Sequence, residues 1–239
     1  MVHQYQIIDV SWDEKILKGH SHPQSVMIIT PLFLECLKKQ YNDYSSSGNY
    51  LLYYKKLKSI VDNFDCPLSG VLDYKKPLDY MIAYHYRRGM VACVSKKFIA
   101  CLEKQKVACP SEFFVKPIAL NGIDELYYVL FIPMTGLQES SIDFQKSEFY
   151  IEDVESPHFK ENAHIRDLED FNKTRYAVPR KLFLHTHSEP KSIYRIESCP
   201  HVFISELLVK ELLQSNITGL DITPLNDAPC KLYVEDDIL

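Results

Sequence analysis

Glycine is scarce in this sequence, with seven in 239 residues, and the scarcity is informative. Neither G-x-x-x-x-G-K-[ST] nor G-x-G-x-x-G occurs, so the backbone cradles that wrap nucleotide phosphates are not encoded. G-x-S-x-G is missing too, and Ser69-Gly70 is a bare dipeptide rather than a strained nucleophile turn. The seven cysteines (Cys36, Cys66, Cys93, Cys101, Cys109, Cys199 and Cys230) are an odd set with no C-x-x-C pair, a usage that fits a reducing compartment. Cys36 and Cys101 fall at apolar helix positions, where a buried thiol is inert, and Cys109 before Pro110 has no histidine partner visible in sequence. The net charge is −5 and no long basic run occurs, so no nucleic-acid partner is expected. No uncharged apolar run is long enough to cross a bilayer, and Asp9, Asp13 and Glu14 interrupt any signal-peptide core. A cytoplasmic protein without a membrane partner is expected. Nothing calls for a cofactor.

What is present is organised around residues 201–224, HVFISELLVKELLQSNITGLDITP, which reads as strand, capped helix, strand. Ser205 precedes an apolar pattern of Leu208, Val209, Leu212 and Leu213, so its hydroxyl can accept from an orphan N–H at the helix start. Lys210, Glu211 and Gln214 are assigned to the wet face, and Asn216 suits the left-handed turn that ends a helix. The same pattern recurs without a gap, Ile204 through Leu212 falling on Val94 through Leu102, with Ser95 in the place of Ser205. A third, looser copy starts at Ile29-Thr30-Pro31, where Thr30 would cap and Pro31 would open the helix. Duplication explains these matches, and so does amphipathic patterning by itself.

In chain order, strands are predicted over 5–10 and 26–29, a helix from Thr30 to about 41, a loop over 42–49 and a helix over 51–64. A hairpin follows over 113–120 and 127–133, with Asn121-Gly122 between its strands, then a strand within 144–151 and a solvated excursion or short helix over 156–176. Residues 181–187 and 192–196 read as a strand pair, and Glu235-Asp236-Asp237 as an acidic tail. The fold class is α+β, a mostly antiparallel mixed sheet with short capped crossover helices, in one body or two lobes. Residues 1–88 form the candidate N-terminal α+β lobe and 89–239 the C-terminal domain.

Two His-x-His pairs, His20/His22 and His185/His187, each place two imidazoles on one strand face. Spacing supplies no third ligand to either, so no metal site is assigned. The carboxylate pairs Glu152/Asp153 and Asp236/Asp237 are adjacent rather than opposed. No set of residues stands out as catalytic, and the chain is not expected to be an enzyme. Residues 71–86 concentrate Tyr74, Tyr80, Tyr84 and Tyr86 before Arg87-Arg88, and protein interfaces favour tyrosine and arginine for large contacts with a polar tip. Tyr84, Tyr86 and Arg87 are the candidate partner-binding residues.

Phe203 to Leu212 and Ile217 to Pro224, in the form F-[IV]-S-E-x-[LV]-x-x-x-[LI] followed by I-T-G-[LV]-[DE]-[IF]-x-P, resemble the C-terminal signature of an immunity-protein family of bacterial polymorphic toxin systems. Val94 to Leu102, the tract Phe114-Val115-Lys116-Pro117-Ile118 with Tyr127-Tyr128-Val129-Leu130, and Ile142 to Ser147 are similar, in order, to that family's middle section. The resemblance spans about 89–224, with Asn216 where a glycine is expected. It implies a protein that binds a cognate toxin domain and blocks its active site, with no reaction of its own. Two other readings stay open: a metal-assisted hydrolase using His185 and His187, and a general interaction module. The toxin and the oligomeric state are not encoded in any motif.

Overall fold

Strand β1 (Val2–Val10) shows the period-2 alternation that a doubly covered strand needs, with Tyr5 and Ile7 in one apolar cluster and Ile8 and Val10 in another. It belongs to a computed structural model that describes residues 1–11, 13, 22–45, 50–73, 76–83, 90–135, 142–152, 160–174, 176–186, 190–196, 199 and 201–236. The fold is α+β and mostly β.

Strands β2 (Ser25–Ile28), β3 (Leu68–Leu72), β4 (Tyr80–Ala83), β5 (Met90–Ser95), β6 (Phe114–Leu120) and β7 (Tyr127–Phe131) close into a barrel in the order β2-β3-β6-β7-β5-β4. Helices α1 (Pro31–Ser45) and α2 (Tyr50–Asn63) add Phe33, Leu37, Leu57 and Val61 to the cluster that holds the barrel residues Val26, Leu68, Met81 and Val129. Gly70 marks how full this core is, because a Cβ there would stand 2.8 Å from Ile118 Cδ1 and 2.9 Å from Val26 Cγ1. Pro31 opens α1 as predicted and Thr30 holds the capping position, its carbonyl accepting from Leu34 N. The Thr30 hydroxyl, however, accepts from Ser69 N at 2.8 Å instead of capping the helix. Cys36 is exposed rather than buried, since α1 turns that side to water.

After helix α3 (Lys96–Lys104), strands β8 (Glu148–Glu152), β9 (Lys160–Ala163), β10 (Ala177–Thr186), β11 (Ile193–Arg195), β12 (Val202–Ser205), β13 (Leu220–Thr223) and β14 (Lys231–Asp236) form a mixed sheet around β1. Its order is β11-β12-β1-β14-β10-β8-β9, with β13 paired to the second half of β1. Helix α4 (Leu168–Lys173) brings Phe171 to one face, and helix α5 (Glu206–Gln214) follows β12. The predicted strand pair 181–187 with 192–196 does not form. β10 pairs with β14 in parallel and with β8, while β11 pairs with β12. Of the predicted acidic tail, Glu235 and Asp236 lie in β14, and Asp237 lies outside the described residues. The division at 88/89 falls between β4 and β5, which are antiparallel neighbours in the barrel, and β1 lies between C-terminal strands of the sheet.

The barrel and the sheet meet through two like units, β4-β5-α3 and β11-β12-α5. Ser95 Oγ accepts from Phe98 N at 3.2 Å, and Ser205 Oγ accepts from Leu208 N at 3.4 Å. At the other end Val107 N donates to Leu102 O and Lys106 N to Glu103 O, matched by Ile217 N to Leu212 O and Asn216 N to Leu213 O. Lys106 (φ 52°) and Asn216 (φ 49°) are the left-handed terminators of these two Schellman ends. Helices α3 and α5 pack on one another, and Val94, Phe98, Ile99 and Leu102 share one cluster with Ile204, Leu208, Val209 and Leu212. Glu211, assigned to the wet face, is buried in this seam and accepts from Lys104, Gln105 and Ser215.

Candidate functional site

Strands β10 and β14 send Leu182, Leu184, Leu232 and Val234 into the core beneath the sheet. Alternation then places Lys181, Phe183 and His185, with Lys231, Tyr233 and Glu235, on the opposite face. Parallel register pairs them side by side as Lys181 with Lys231, Phe183 with Tyr233 and His185 with Glu235. The two rings stack at 4.8 Å between centroids and 13° between planes. Lys181 Nζ lies over both, 5.0 Å from the Phe183 centroid and 5.7 Å from that of Tyr233, which adds cation–π attraction.

A charged border surrounds the rings. His185 Nε2 is 3.2 Å from Asp143 Oδ2, and its Nδ1 is 3.5 Å from Glu235 Oε2. Lys146 Nζ donates to Glu235 at 2.7 Å, and Lys181 Nζ to Glu148 at 3.3 Å. Burial pushes the Asp143 carboxyl up, but the hydrogen bond to His185, the backbone N–H groups of Lys146 and Gln145 and the Lys146 ammonium outweigh it and hold it below the usual carboxylate range. The hydrogen bond to Glu235 raises the Lys146 pKa. Both shifts favour the charged forms of Asp143 and Lys146.

Where β10 and β14 begin to pair lies a concavity of about 320 Å³, lined by Arg180, Lys181, Lys231, Tyr233, Glu148 and the turn at Asn226, Ala228 and Pro229. Across β1, where Gln4 stands beside Tyr233 and Val2 beside Glu235, a second concavity of about 300 Å³ reaches the exposed Leu207 of α5. The face thus joins a half-buried stacked aromatic pair to a border of both charge signs.

Tyr84, Tyr86 and Arg87 lie outside the described residues, as do His20, His187 and Tyr74. Tyr80 is described and is a core residue at 3% exposure, because β4 turns it toward the barrel–sheet seam. His185 offers both ring nitrogens to carboxylates. Among the described residues no group of three or more His, Cys, Asp or Glu side chains is placed to hold a metal ion. Ser25, His22 and Asp73 do come together, but Ser25 Oγ donates to Asp73 and His22 Nε2 sits 3.2 Å from the same carboxylate. The imidazole is aimed at the acid and not at the hydroxyl, so this is not a nucleophile–base pair.

The aromatic face was readable in one respect. Lys181-Leu182-Phe183-Leu184 and Lys231-Leu232-Tyr233-Val234 are the same alternating tetrad, and each places its lysine and its aromatic ring on one side of a strand.

No family model matches the chain, and no curated protein matches it. No helix among the described residues is long and apolar enough to cross a membrane.

Proposed function

We propose that this chain is an immunity protein, which binds a cognate bacterial toxin domain, covers its active site and carries out no reaction of its own. The ordered motifs between residues 89 and 224 support the reading, and the observation that carries it is the Phe183–Tyr233 pair on the open face of the sheet. Both rings are partly exposed among the described residues, and burying the apolar area that they keep in water contributes about 25 cal/mol per Å². The backbone beneath them is hydrogen-bonded on both sides, by β1 beside Tyr233 and by Ser147 Oγ and Asp143 N at Phe183, so the rings are preorganised and little entropy is lost on docking. The Lys146, Glu235, Asp143 and Lys181 border sets orientation and speeds encounter more than it adds affinity.

The test is capture of the partner from the native cell with the tagged chain, followed by expression of the captured protein with and without it. The expected result is growth arrest by the partner alone and recovery with the chain. The double variant Phe183→Ala/Tyr233→Ala, which leaves the buried face untouched, should lose protection, with affinity lowered about 30-fold or more. A harmless partner, or full protection by the double variant at matched expression, rejects the proposal.

A further inference from the structure

The concavity where β10 and β14 begin to pair is lined by three cations, Arg180, Lys181 and Lys231. A bulge between Pro179 and Lys181, where the β10–β8 register shifts, allows two successive residues, Arg180 and Lys181, to line the same space instead of pointing to opposite sides. Lys231 comes from the neighbouring strand, directly beside Lys181 in the parallel register. Like charges at such a position repel and destabilise the sheet. Against the three cations stands one lining carboxylate, Glu148, which is bonded to Lys181. Arg180 and Lys231 have no acidic partner among the described residues. Asn226 adds an amide to the wall, and Tyr233 forms the boundary with the aromatic pair.

We propose that this concavity is a carboxylate-binding site, which takes an aspartate or glutamate side chain presented by a protein partner while the residues beside that acid lie against Phe183 and Tyr233. The Arg180 guanidinium provides the planar fork that a carboxylate matches with two hydrogen bonds, and Lys231 provides a point charge. The incoming anion relieves the Lys181–Lys231 repulsion, so the partner removes a cost that the free protein bears. The local charge is opposite in sign to the net charge of −5, so the site selects an acidic patch on a partner that the rest of this surface does not attract. This inference specifies the partner surface for the reading given above, and it is testable without the toxin.

The experiment uses the full chain and a fluorescent peptide that alternates glutamate and phenylalanine, read by anisotropy at low and moderate salt. The expected result is saturable binding that weakens with salt. Arg180→Gln/Lys231→Gln should weaken it about 10-fold or more, whereas Lys38→Gln/Lys39→Gln, which removes the same charge from α1, should leave it unchanged. Thermal melting provides a second, independent readout. Lys231→Gln should raise the melting temperature of the free protein at low salt, and the gain should vanish at high salt as screening removes the repulsion.

Equal weakening by both double variants, no peptide binding by the unmodified chain, or a lower melting temperature for Lys231→Gln overturns the proposal. Tighter binding of single-stranded DNA than of the peptide does so as well, because the site would then belong to a phosphate backbone. Peptide binding without growth protection supports the site and rejects the toxin, whereas protection that survives Arg180→Gln/Lys231→Gln without loss rejects the site and keeps the toxin.

Discussion

The units β4-β5-α3 and β11-β12-α5 handle their helix ends alike and their shared seam differently. Both begin with a capping serine and end on a left-handed residue, Lys106 or Asn216. At the seam the corresponding positions are Cys101, a small buried apolar group, and Glu211, a buried carboxylate. The hydrogen bond from Lys104 holds the Glu211 pKa below its ordinary value, with Gln105 and Ser215 assisting against the cost of burial. The carboxylates that tie each unit to the other also differ. Asp79, ahead of β4, accepts from Thr218 N at 2.9 Å and from its own unit's Ser95 Oγ at 2.6 Å. Glu112, after α3, accepts from Ile193 N at 2.8 Å and Ala108 N at 3.2 Å. Gly219 is the close-approach point, its φ being +82° and Tyr80 O lying only 2.3 Å from where a Cβ would be. The comparison teaches that a repeated local solution can be kept at the ends of a helix while the faces diverge, because caps satisfy only their own backbone and faces must fit a neighbour.

The largest expected break comes from the faces. Leu102→Ala and Leu212→Ala remove equivalent, fully buried side chains from one cluster and should each cost about 3 kcal/mol in denaturant unfolding. Because the two share that cluster, the double variant should depart from additivity by 0.5 kcal/mol or more, taking about 0.5 as the threshold for coupling. Strict additivity would mean that the two units do not form one core.

Capping should separate the units by less. Ser205→Ala removes a single cap and should cost about 1 kcal/mol, whereas Ser95→Ala also takes a hydrogen bond from Asp79 and should cost about 2 kcal/mol. Burial pushes the Asp79 carboxyl up, but Ser95, Thr218 and Lys97 together hold its pKa below the ordinary value. A depressed carboxylate pKa contributes stability that is complete above about pH 4 and is lost as the pH falls through the folded-state value. The extra cost of Ser95→Ala should therefore shrink below about pH 4 while that of Ser205→Ala stays constant. Equal pH profiles for the two variants would remove Asp79 from the account.

The smallest effect concerns the terminators. Lys106→Gly should stabilise by about 1 kcal/mol, and Asn216→Gly by only a few tenths, since asparagine already tolerates the left-handed region. Equal gains in melting temperature would show that side-chain strain does not distinguish the two ends.

Much of this fold was legible along the chain. The caps at Ser95 and Ser205, the left-handed Asn216, the 113–133 hairpin and the α+β class all follow from local chemistry or short-period patterning, and each appears in the structure. Misreadings occur where a distant segment intervenes. Glu211 reads as a wet-face residue by period, but α3 delivers Lys104 and Gln105 to it. Thr30 reads as a cap, but β3 presents the Ser69 N–H to its hydroxyl. The acidic 235–237 reads as a tail, but β1 and β10 enclose its first two residues as strand, with His3 on Asp236 and Lys146 on Glu235.

The candidate face was half legible for the same reason. Alternation by itself puts Lys181 with Phe183 and Lys231 with Tyr233, because successive strand residues point to opposite sides whatever the partner strand. That the two tetrads lie side by side in parallel, so that rings stack and lysines crowd, depends on which strands pair. So does the choice of neighbours that leaves 1–88 and 89–239 interleaved rather than separate. Strand pairing joins residues far apart in sequence through backbone groups that every residue carries, so side-chain pattern sets the element and its buried face, while only tertiary packing decides its neighbour.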